Sequence, residues 1–190
     1  MYYQIFSPIY QWAAQKMCQD CQPFIPTGGK ILDLGCGSGI VAKAFQGFFK
    51  AKVIGVDIKD RRVFYIPLKI INGKTLPFPE KSFDTVLINY VLHHSDDPVA
   101  LLKEAKRVSK KIIIYEDLPE NLLSKIYCQL HGLTFNKFFQ ENNSAIFKTG
   151  EEWEETFQKA GLTIIFKKKI NNFSVKKALY ILINLKFIKR

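Results

Sequence analysis

Residues 31–39 have the sequence ILDLGCGSG, which carries the strongest structural signal in the chain. A predicted buried strand leads into Gly35, Gly37 and Gly39, and a helical stretch follows. Glycine lets the backbone turn tightly and lets a ligand approach closely. The N-terminus of the following helix presents free N–H groups to a polar or anionic ligand group. The stretch predicts a ligand-binding turn, although a plain strand-to-helix turn has the same glycines.

Two aspartates narrow the choice of ligand. Asp33 lies two residues before the first glycine, and Asp57 ends the next apolar run, 22 residues after Gly35. An acid at the second place accepts hydrogen bonds from ribose hydroxyls. Dinucleotide-binding turns have the spacing G-x-G-x-x-G, whereas this chain has G-x-G-x-G. A carboxylate at Asp33 would repel a pyrophosphate but suits a ligand with ammonium and sulfonium groups, such as S-adenosylmethionine (SAM).

Strand-like and helical stretches alternate around this turn. Helices are predicted at Ser38–Phe49 and after Asp97-Pro98, an acidic cap followed by proline. Only six residues, 58–63, separate Asp57 from the next strand, too few for a crossover helix. Either that helix is reduced to a turn, or the third strand begins nearer Ile66. The predicted strands, which favour a parallel sheet covered on both faces, are 30–34, 52–58, 64–71, 83–91 and 111–116.

The last third of the chain predicts two helices and a closing strand pair. Asn121–Leu133 and Thr149–Ala160 have helical patterns, and Gly161 is a typical C-cap. Thr163–Ile170 and Ala178–Phe187 predict antiparallel strands, with an amphipathic helix as the alternative for the second.

The chain resembles the class I SAM-dependent methyltransferases, and in detail the type 11 methyltransferase domain. ILDLGCGSG resembles the family's SAM-binding loop and VIGVDI its ribose-binding strand end. TLPFPEKSFDTVLINYVLHH resembles its acceptor-side block, and LLKEAKRVS with IIIYED completes the core. The resemblance implies an α/β, Rossmann-like three-layer sandwich. Its seven-stranded, mainly parallel sheet would have the order 3-2-1-4-5-7-6, with a shortened connection between strands 2 and 3.

The resemblance also implies a single methyltransferase domain over residues 1–190. Its parts would be a helical lead-in (1–29), a SAM-binding core (30–117), a substrate lid (118–150), and a closing helix and strand pair (151–190). The lid would contact the acceptor, and its aromatic residues either line an apolar site or pack on the sheet. These residues are Tyr127, His131, Phe135, Phe138, Phe139 and Phe147.

Family positions imply a set of cofactor-binding residues. Asp33 and the glycine loop would hold the methionine end of SAM, and Asp57 would hold the ribose. The family usually has an acid where this chain has Asn72, whose amide oxygen can still accept from the adenine amine. The predicted set is Asp33, Leu34, Gly35, Cys36, Gly37, Gly39, Asp57, Ile58, Asn72, Gly73, Asn89 and Tyr90.

Catalytic candidates follow the fourth and fifth strands, at the sheet edge where open α/β folds bind ligands. Methyl transfer depends largely on positioning, but an oxygen or carbon acceptor also needs a base. His93, His94 and Asp117 are the predicted catalytic residues, and Glu116 is a further candidate base. Bracing of the loop is the alternative role for the two histidines.

The composition excludes several classes of protein. Of 190 residues, 47% are hydrophobic and 24% charged, so the chain is neither disordered nor fibrous. No apolar run approaches the roughly 20 residues of a membrane span, and the N-terminus lacks a signal-peptide pattern. We therefore expect a cytoplasmic protein. Cys18-x-x-Cys21 is half of a zinc motif without its second half, so no metal site is expected.

The net charge of +11 is concentrated at the C-terminal end. Thr163–Arg190 has eight Lys/Arg and no acid, which leaves +3 for the rest. Such an end suits an anionic membrane surface, nucleic acid, or only solubility. A small-molecule methyltransferase is the first functional interpretation. A nucleic-acid or protein methyltransferase is the second, although residues 89–92 lack the signature of amino-group nucleic-acid methylation. A SAM- or SAH-binding protein without turnover is the third.

Overall fold

The computed structural model describes residues 7–139, 146–171 and 175–184, apart from the side chains of 131–139. The helices are α1 (Ser7–Cys21), α2 (Ile40–Phe48), α3 (Pro98–Val108), α4 (Leu122–Phe139) and α5 (Gly150–Lys159), with a 3-10 turn at Leu92–His94. The strands are β1 (Lys30–Leu34), β2 (Lys52–Asp57), β3 (Leu68–Ile70), β4 (Phe83–Asn89), β5 (Ser109–Leu118), β6 (Thr163–Ile170) and β7 (Lys176–Ile183).

One seven-stranded sheet has the order β3-β2-β1-β4-β5-β7-β6, which confirms the predicted fold class. The first five strands are parallel, and β7 is antiparallel to both of its neighbours. The segment predicted as strand or helix at Ala178–Phe187 is a strand as far as Ile183, and residues 185–187 lie outside the described part. The parallel order brings the carboxyl ends of β1, β2, β4 and β5 to one edge.

Helices cover both faces of the sheet and complete a three-layer sandwich. α3 and α5 pack on one face, and α1 and α2 on the other. The alternation is clear in β5, where Ile112 and Ile114 enter the first core while Ile113 and Tyr115 enter the second. Burial on both faces explains why the strands are almost continuously apolar.

Local capping sets the starts of two helices. Asp97 caps α3 by accepting from the Ala100 N–H at 2.9 Å, and Pro98 follows it. Thr149 and Glu152 form a capping box at the start of α5. Both starts agree with the sequence signals.

The link between β2 and β3 contains no helix, and polar contacts hold it instead. The Arg62 guanidinium donates to the Asp60 carboxylate and to the Ile66 carbonyl. The Val63 and Phe64 N–H groups donate to the Ser38 carbonyl at 2.9 and 3.2 Å. β3 begins only at Leu68. Both alternatives for this region are therefore correct. The crossover helix is missing, and the third strand is shorter than the predicted 64–71.

The glycine turn packs directly on β2 because Gly55 has no side chain. A Cβ there would lie 2.6 Å from the Cys36 Sγ and 2.8 Å from the Ile66 Cδ1. Such distances are shorter than van der Waals contact, so the turn sits where it does only because residue 55 is glycine.

We expect Gly55→Ala to lower the free energy of unfolding by about 1–3 kcal/mol, because it overpacks this contact. Gly47→Ala is the matched control, since a Cβ on this α2 glycine would meet nothing within 4 Å. The control should raise stability by about 0.5–1 kcal/mol through helix propensity. Urea unfolding measures both, and equal effects of the two substitutions would contradict the packing argument.

Candidate active site

The turn after β1 is closed on one side and open on the other. Gly35 and Gly37 have φ of 74° and 48°, the left-handed region that favours glycine. A Cβ on Gly35 would lie 2.4 Å from the Val91 Cγ2, whereas a Cβ on Gly37 would meet nothing within 4 Å. The space available to a ligand therefore lies at Gly37.

The Asp57 carboxylate ties this turn to the end of β2. Its Oδ2 accepts from the Gly37 N–H at 2.8 Å, and its Oδ1 accepts from the Ile58 N–H at 2.7 Å. The Arg61 guanidinium lies 3.4 Å from Oδ1. Sequence reasoning missed Arg61, and its place four residues after Asp57 was the available signal. Asp57 therefore lies next to the glycine turn, as predicted, and its carboxylate already accepts a hydrogen bond from the turn.

Asp33 and Asp117 are the two acids of the site that each have a buried oxygen without a hydrogen-bond partner among the described residues. Asp33 is buried at the end of β1, and the oxygen concerned is its Oδ2. Both side-chain polar atoms of Asn89 are also buried without a hydrogen-bond partner among the described residues. Burial, followed by the charge of Asp57, raises the pKa of Asp33 to about 7. Buried polar atoms are normally paired, so these atoms and the space at Gly37 fit a ligand that carries an ammonium group.

The other predicted cofactor residues differ in which of their groups are available to a ligand. The Leu34 side chain enters the hydrophobic core, and Cys36 packs against β2, so only their backbones face the turn. Ile58 and Gly73 are neighbours, since a Cβ on Gly73 would lie 3.5 Å from the Ile58 Cγ2. The Asn72 Oδ1, predicted to accept from adenine, accepts from the N–H groups of residues 74 and 75 at 3.0 and 3.4 Å.

Gly39 and Tyr90 have left-handed backbones at the same edge, with φ of 77° and 57°. A Cβ on Gly39 would lie 2.8 Å from the Phe64 carbonyl oxygen, so the helix-free link requires glycine there. Positive φ is uncommon for tyrosine. The Tyr90 N–H donates to the Tyr115 carbonyl at 2.9 Å, and the Lys177 ammonium lies 4.6 Å from the Tyr90 ring. Tyr90 therefore faces the β5–β7 side of the site.

Glu116 and His93 form a buried pair between β5 and the turn after β4. The Glu116 carboxylate lies 2.6 Å from the His93 Nδ1 and accepts from the Leu92 N–H at 2.8 Å. Burial lowers the pKa of His93, but the charge and hydrogen bond of Glu116 outweigh it, so the net pKa is raised. Glu116 is fully enclosed, so it holds His93 in place rather than facing a substrate.

The last part of the predicted lid reaches this histidine. The Ile146 N–H donates to the His93 carbonyl at 2.7 Å. The Phe147 ring stacks on the imidazole with centroids 4.7 Å apart, and the His94 ring lies at 4.2 Å. His93 is therefore covered by protein on several sides. Of the other predicted lid aromatics, His131, Phe135, Phe138 and Phe139 have side chains outside the described part.

Asp117, the third catalytic candidate, lies at the end of β5 beside α4. Its carboxylate is 3.8 Å from the Lys177 ammonium. Burial and the charge of Asp117 raise the pKa of Cys128 on α4 to about 11, while Lys177 opposes the shift. α4 begins at Leu122, four residues after β5 ends at Leu118, so the helix starts at the carboxyl edge of the sheet.

The Cys18-x-x-Cys21 pair lies in the core. Both thiols are buried on α1, and the Cys21 Sγ is 3.5 Å from the Tyr115 hydroxyl. Burial raises the pKa of each to about 12, so both remain protonated at neutral pH. Residues 7–139, 146–171 and 175–184 contain no group of three or more side chains that would hold a metal ion.

The lysines of β6 and β7 are paired with acids. Lys167 pairs with Glu154, Lys168 with Asp20, Lys169 and Lys176 with Glu120, and Lys177 with Asp117. Five of the eight basic residues at the C-terminal end thus face four carboxylates. The other three lie outside the described residues. The basic end is less positive at its surface than the sequence indicates.

Comparison with known protein families and sequences identifies a methyltransferase domain in this chain. Residues 32–112 match the family model described as a methyltransferase domain. An uncharacterized protein of Methanocaldococcus jannaschii is 33% identical over 141 residues, covering 70% of this chain, which spans 64% of that relative. A demethylmenaquinone methyltransferase of Bacillus cereus is 28% identical over 183 residues, covering 80% of this chain and 76% of the relative.

Solved structures share the fold. A Thermotoga maritima protein described as a SAM-dependent methyltransferase, possible histamine N-methyltransferase, superposes with a TM-score of 0.71 at 20% identity, covering 96% of this chain and 94% of its own. The sheet order is that of the class I SAM-dependent methyltransferases, which this chain resembles in fold. Its core, residues 32–112, matches the type 11 methyltransferase domain. Among the described helices, none is long and apolar enough to cross a membrane.

Asp33→Asn should make the protein more stable above neutral pH. The raised folded-state pKa means that the contribution of Asp33 to stability is present below its unfolded pKa and is lost as pH rises through about 7. We expect the variant to exceed the wild type by about 2–4 kcal/mol near pH 8 and to match it near pH 4.

Urea unfolding at the two pH values measures this difference. Asp84→Asn is the control of opposite sign, because Lys110 lowers the pKa of Asp84 and the substitution should cost stability near pH 8. An Asp33→Asn variant less stable than the wild type near pH 8 would refute the assignment of Asp33 as a strained acid.

Proposed function

We propose that the chain transfers the methyl group of SAM to a small, apolar acceptor. The observation that carries the proposal is the unpartnered Asp33 oxygen beside Asp57 and the open turn at Gly37, at the same sheet edge as the His93–Glu116 pair. The name of the Bacillus cereus relative, demethylmenaquinone methyltransferase, supports a small-molecule acceptor.

Three side chains would hold the cofactor. Asp33 would accept from its ammonium group, which removes the cost of the buried, unpaired oxygen. Asp57 would accept from the ribose hydroxyls, and Arg61 would then share or leave Oδ1. Asn89 offers a donor and an acceptor at the end of β4. When bound, SAM supplies a methyl group activated by the sulfonium.

His93 would remove the acceptor's proton. Because Glu116 fixes Nδ1, the base would be Nε2, which forms no hydrogen bond with the part of the chain that the structure describes. Glu116 is the positioning residue, since it orients the ring and stabilises the imidazolium form. Because its pKa is raised, the neutral, basic form of His93 becomes dominant only at a higher pH than in an unperturbed histidine.

Residues 118–150 would supply the acceptor side. This assignment is supported by the position of the segment: Phe147 stacks on His93, and α4 begins four residues after β5, the strand that carries Asp117. An apolar wall next to a general base suits an aromatic or lipidic acceptor.

A SAM- or SAH-binding protein without turnover is the second candidate. The engaged Asn72 oxygen and the Arg61–Asp57 contact favour it, because both occupy groups predicted for the cofactor. Pairing of the five lysines on β6 and β7 weakens the case for a nucleic-acid acceptor.

Calorimetry with SAM and SAH tests the cofactor site. We expect both to bind, and Asp57→Ala to weaken binding by roughly tenfold or more, because a charged hydrogen-bond acceptor is lost. Asp84→Ala is the matched control, since Asp84 lies on the same sheet at the amino end of β4 and pairs with Lys110. Its affinity should stay within about twofold of the wild type. Absence of binding, or equal weakening by both substitutions, would sink the cofactor assignment.

Turnover is tested with methyl-labelled SAM over metabolite, lipid and RNA pools. We expect label in a small-molecule or lipid fraction, and His93→Gln to lower kcat by about 10²–10⁴. Glutamine keeps an amide donor for buried Glu116, so folding is preserved. Glu116→Gln should move the rise of rate with pH to lower pH, because it removes the charge that raises the His93 pKa.

His94→Gln separates the two histidines, and it should reduce the rate less than His93→Gln. If SAM binds while every pool stays unlabelled, the non-catalytic function replaces the proposed one. An unchanged pH profile in Glu116→Gln would exclude His93 as the base.

A further inference from the structure

Over Leu122–Leu130, where its side chains are described, helix α4 carries its large apolar side chains on the outside. Leu122, Leu123 and Ile126 are 72%, 78% and 43% exposed, whereas Ser124 and Cys128 are only 6% and 2% exposed. A surface helix normally buries its apolar stripe and exposes its polar face. The orientation of α4 is the reverse, so its outer face is built to contact something other than water.

The exposed residues form one continuous face. Positions 122, 126 and 130 are four apart, and 123 and 127 lie beside them at the same spacing, which places all five along one side of a helix. They are leucine, leucine, isoleucine, tyrosine and leucine. We call Leu122, Leu123, Ile126, Tyr127 and Leu130 the outer stripe.

Positive charge accompanies the outer stripe. Between Leu122 and Leu130 the helix contains one lysine, Lys125, and no acid. Just before its first turn, Lys169 and Lys176 share the single carboxylate of Glu120, and both lysines are exposed. Although these two lysines are paired, one positive charge there is not balanced by Glu120, and Lys125 adds another on the helix.

We propose that α4 lies on the surface of a bilayer that contains anionic lipids, with the outer stripe among the acyl chains. An apolar helix face with accompanying lysines is the pattern of interfacial helices. A second copy of the chain is a poorer occupant, because a symmetric contact would bring the lysines of both copies together.

The buried face of α4 connects the outer stripe with the candidate active site. Ser124 and Cys128 on this face are buried, and α4 begins at Leu122, four residues after β5 ends at the carboxyl edge of the sheet. An acceptor dissolved in the bilayer would therefore meet the protein on the side of the candidate site. The inference goes beyond the proposed function, since binding to vesicles needs neither SAM nor an acceptor. Its failure would leave the methyl-transfer proposal untouched.

Co-sedimentation with vesicles tests the proposal. The full chain should sediment with vesicles of phosphatidylcholine and phosphatidylglycerol and bind phosphatidylcholine alone more weakly. The triple variant Leu122→Gln, Leu123→Gln, Ile126→Gln should lower the partition coefficient by roughly tenfold or more, because three side chains no longer enter the apolar layer. Since these positions are exposed, its thermal unfolding should be unchanged.

A second triple variant controls for general surface hydrophobicity. Tyr65, Ile70 and Ile165 are 81%, 56% and 48% exposed on the β2–β3 link, β3 and β6. Their replacement by glutamine should leave vesicle binding unchanged. The proposal is overturned if the wild type stays in the supernatant with both vesicles, or if both triple variants lose binding equally. A wild-type dimer that does not bind vesicles, and that the α4 variant converts to monomer, would identify a second copy as the occupant instead.

Discussion

The hydrogen bonds of the Asp57 carboxylate fix the geometry of the glycine turn, on which the proposed cofactor site depends. By accepting from Gly37 and Ile58, this side chain joins the turn after β1 to the end of β2. Glu116 does the same on the other half, where it joins the turn after β4 to β5. Buried carboxylates are stable in such places because backbone N–H groups replace their water. Asp33, between them, has one oxygen without a hydrogen-bond partner among the described residues, which is a cost in stability of the kind that proteins retain at functional sites.

Much of the fold was predictable because its signals are local. Asp97 and Thr149 mark helix starts through hydrogen bonds to residues three positions away. The apolar runs define the strands, and the resemblance supplied their order in the sheet. Asp33 and Asp57 were also predictable, since they occupy fixed places relative to the glycine turn. The short β3 was only partly predictable. The link before it is held by hydrogen bonds of Arg62, and no repeating pattern of apolar residues reveals such a link.

Pairings between distant residues were not predictable. His93 and Glu116 were both candidate bases, yet they form one pair, because the strand register brings residues 23 positions apart together. The lysines of β6 and β7 meet acids from α1, α5 and the β5–α4 link for the same reason. In α4, the apolar spacing predicted a helix but not which way its stripe faces. That direction depends on what small residues such as Ser124 and Cys128 can pack against.

The two edges of the sheet show a further consequence of the lysine-rich β6. Unpaired strand edges are templates for the addition of another chain, which leads to aggregation. β3 closes one edge with only three residues, too short a template for stable pairing. β6 occupies the other edge, where Lys167, Lys168 and Lys169 place three consecutive cations along the open backbone. Consecutive charged side chains at such an edge disfavour the addition of another strand.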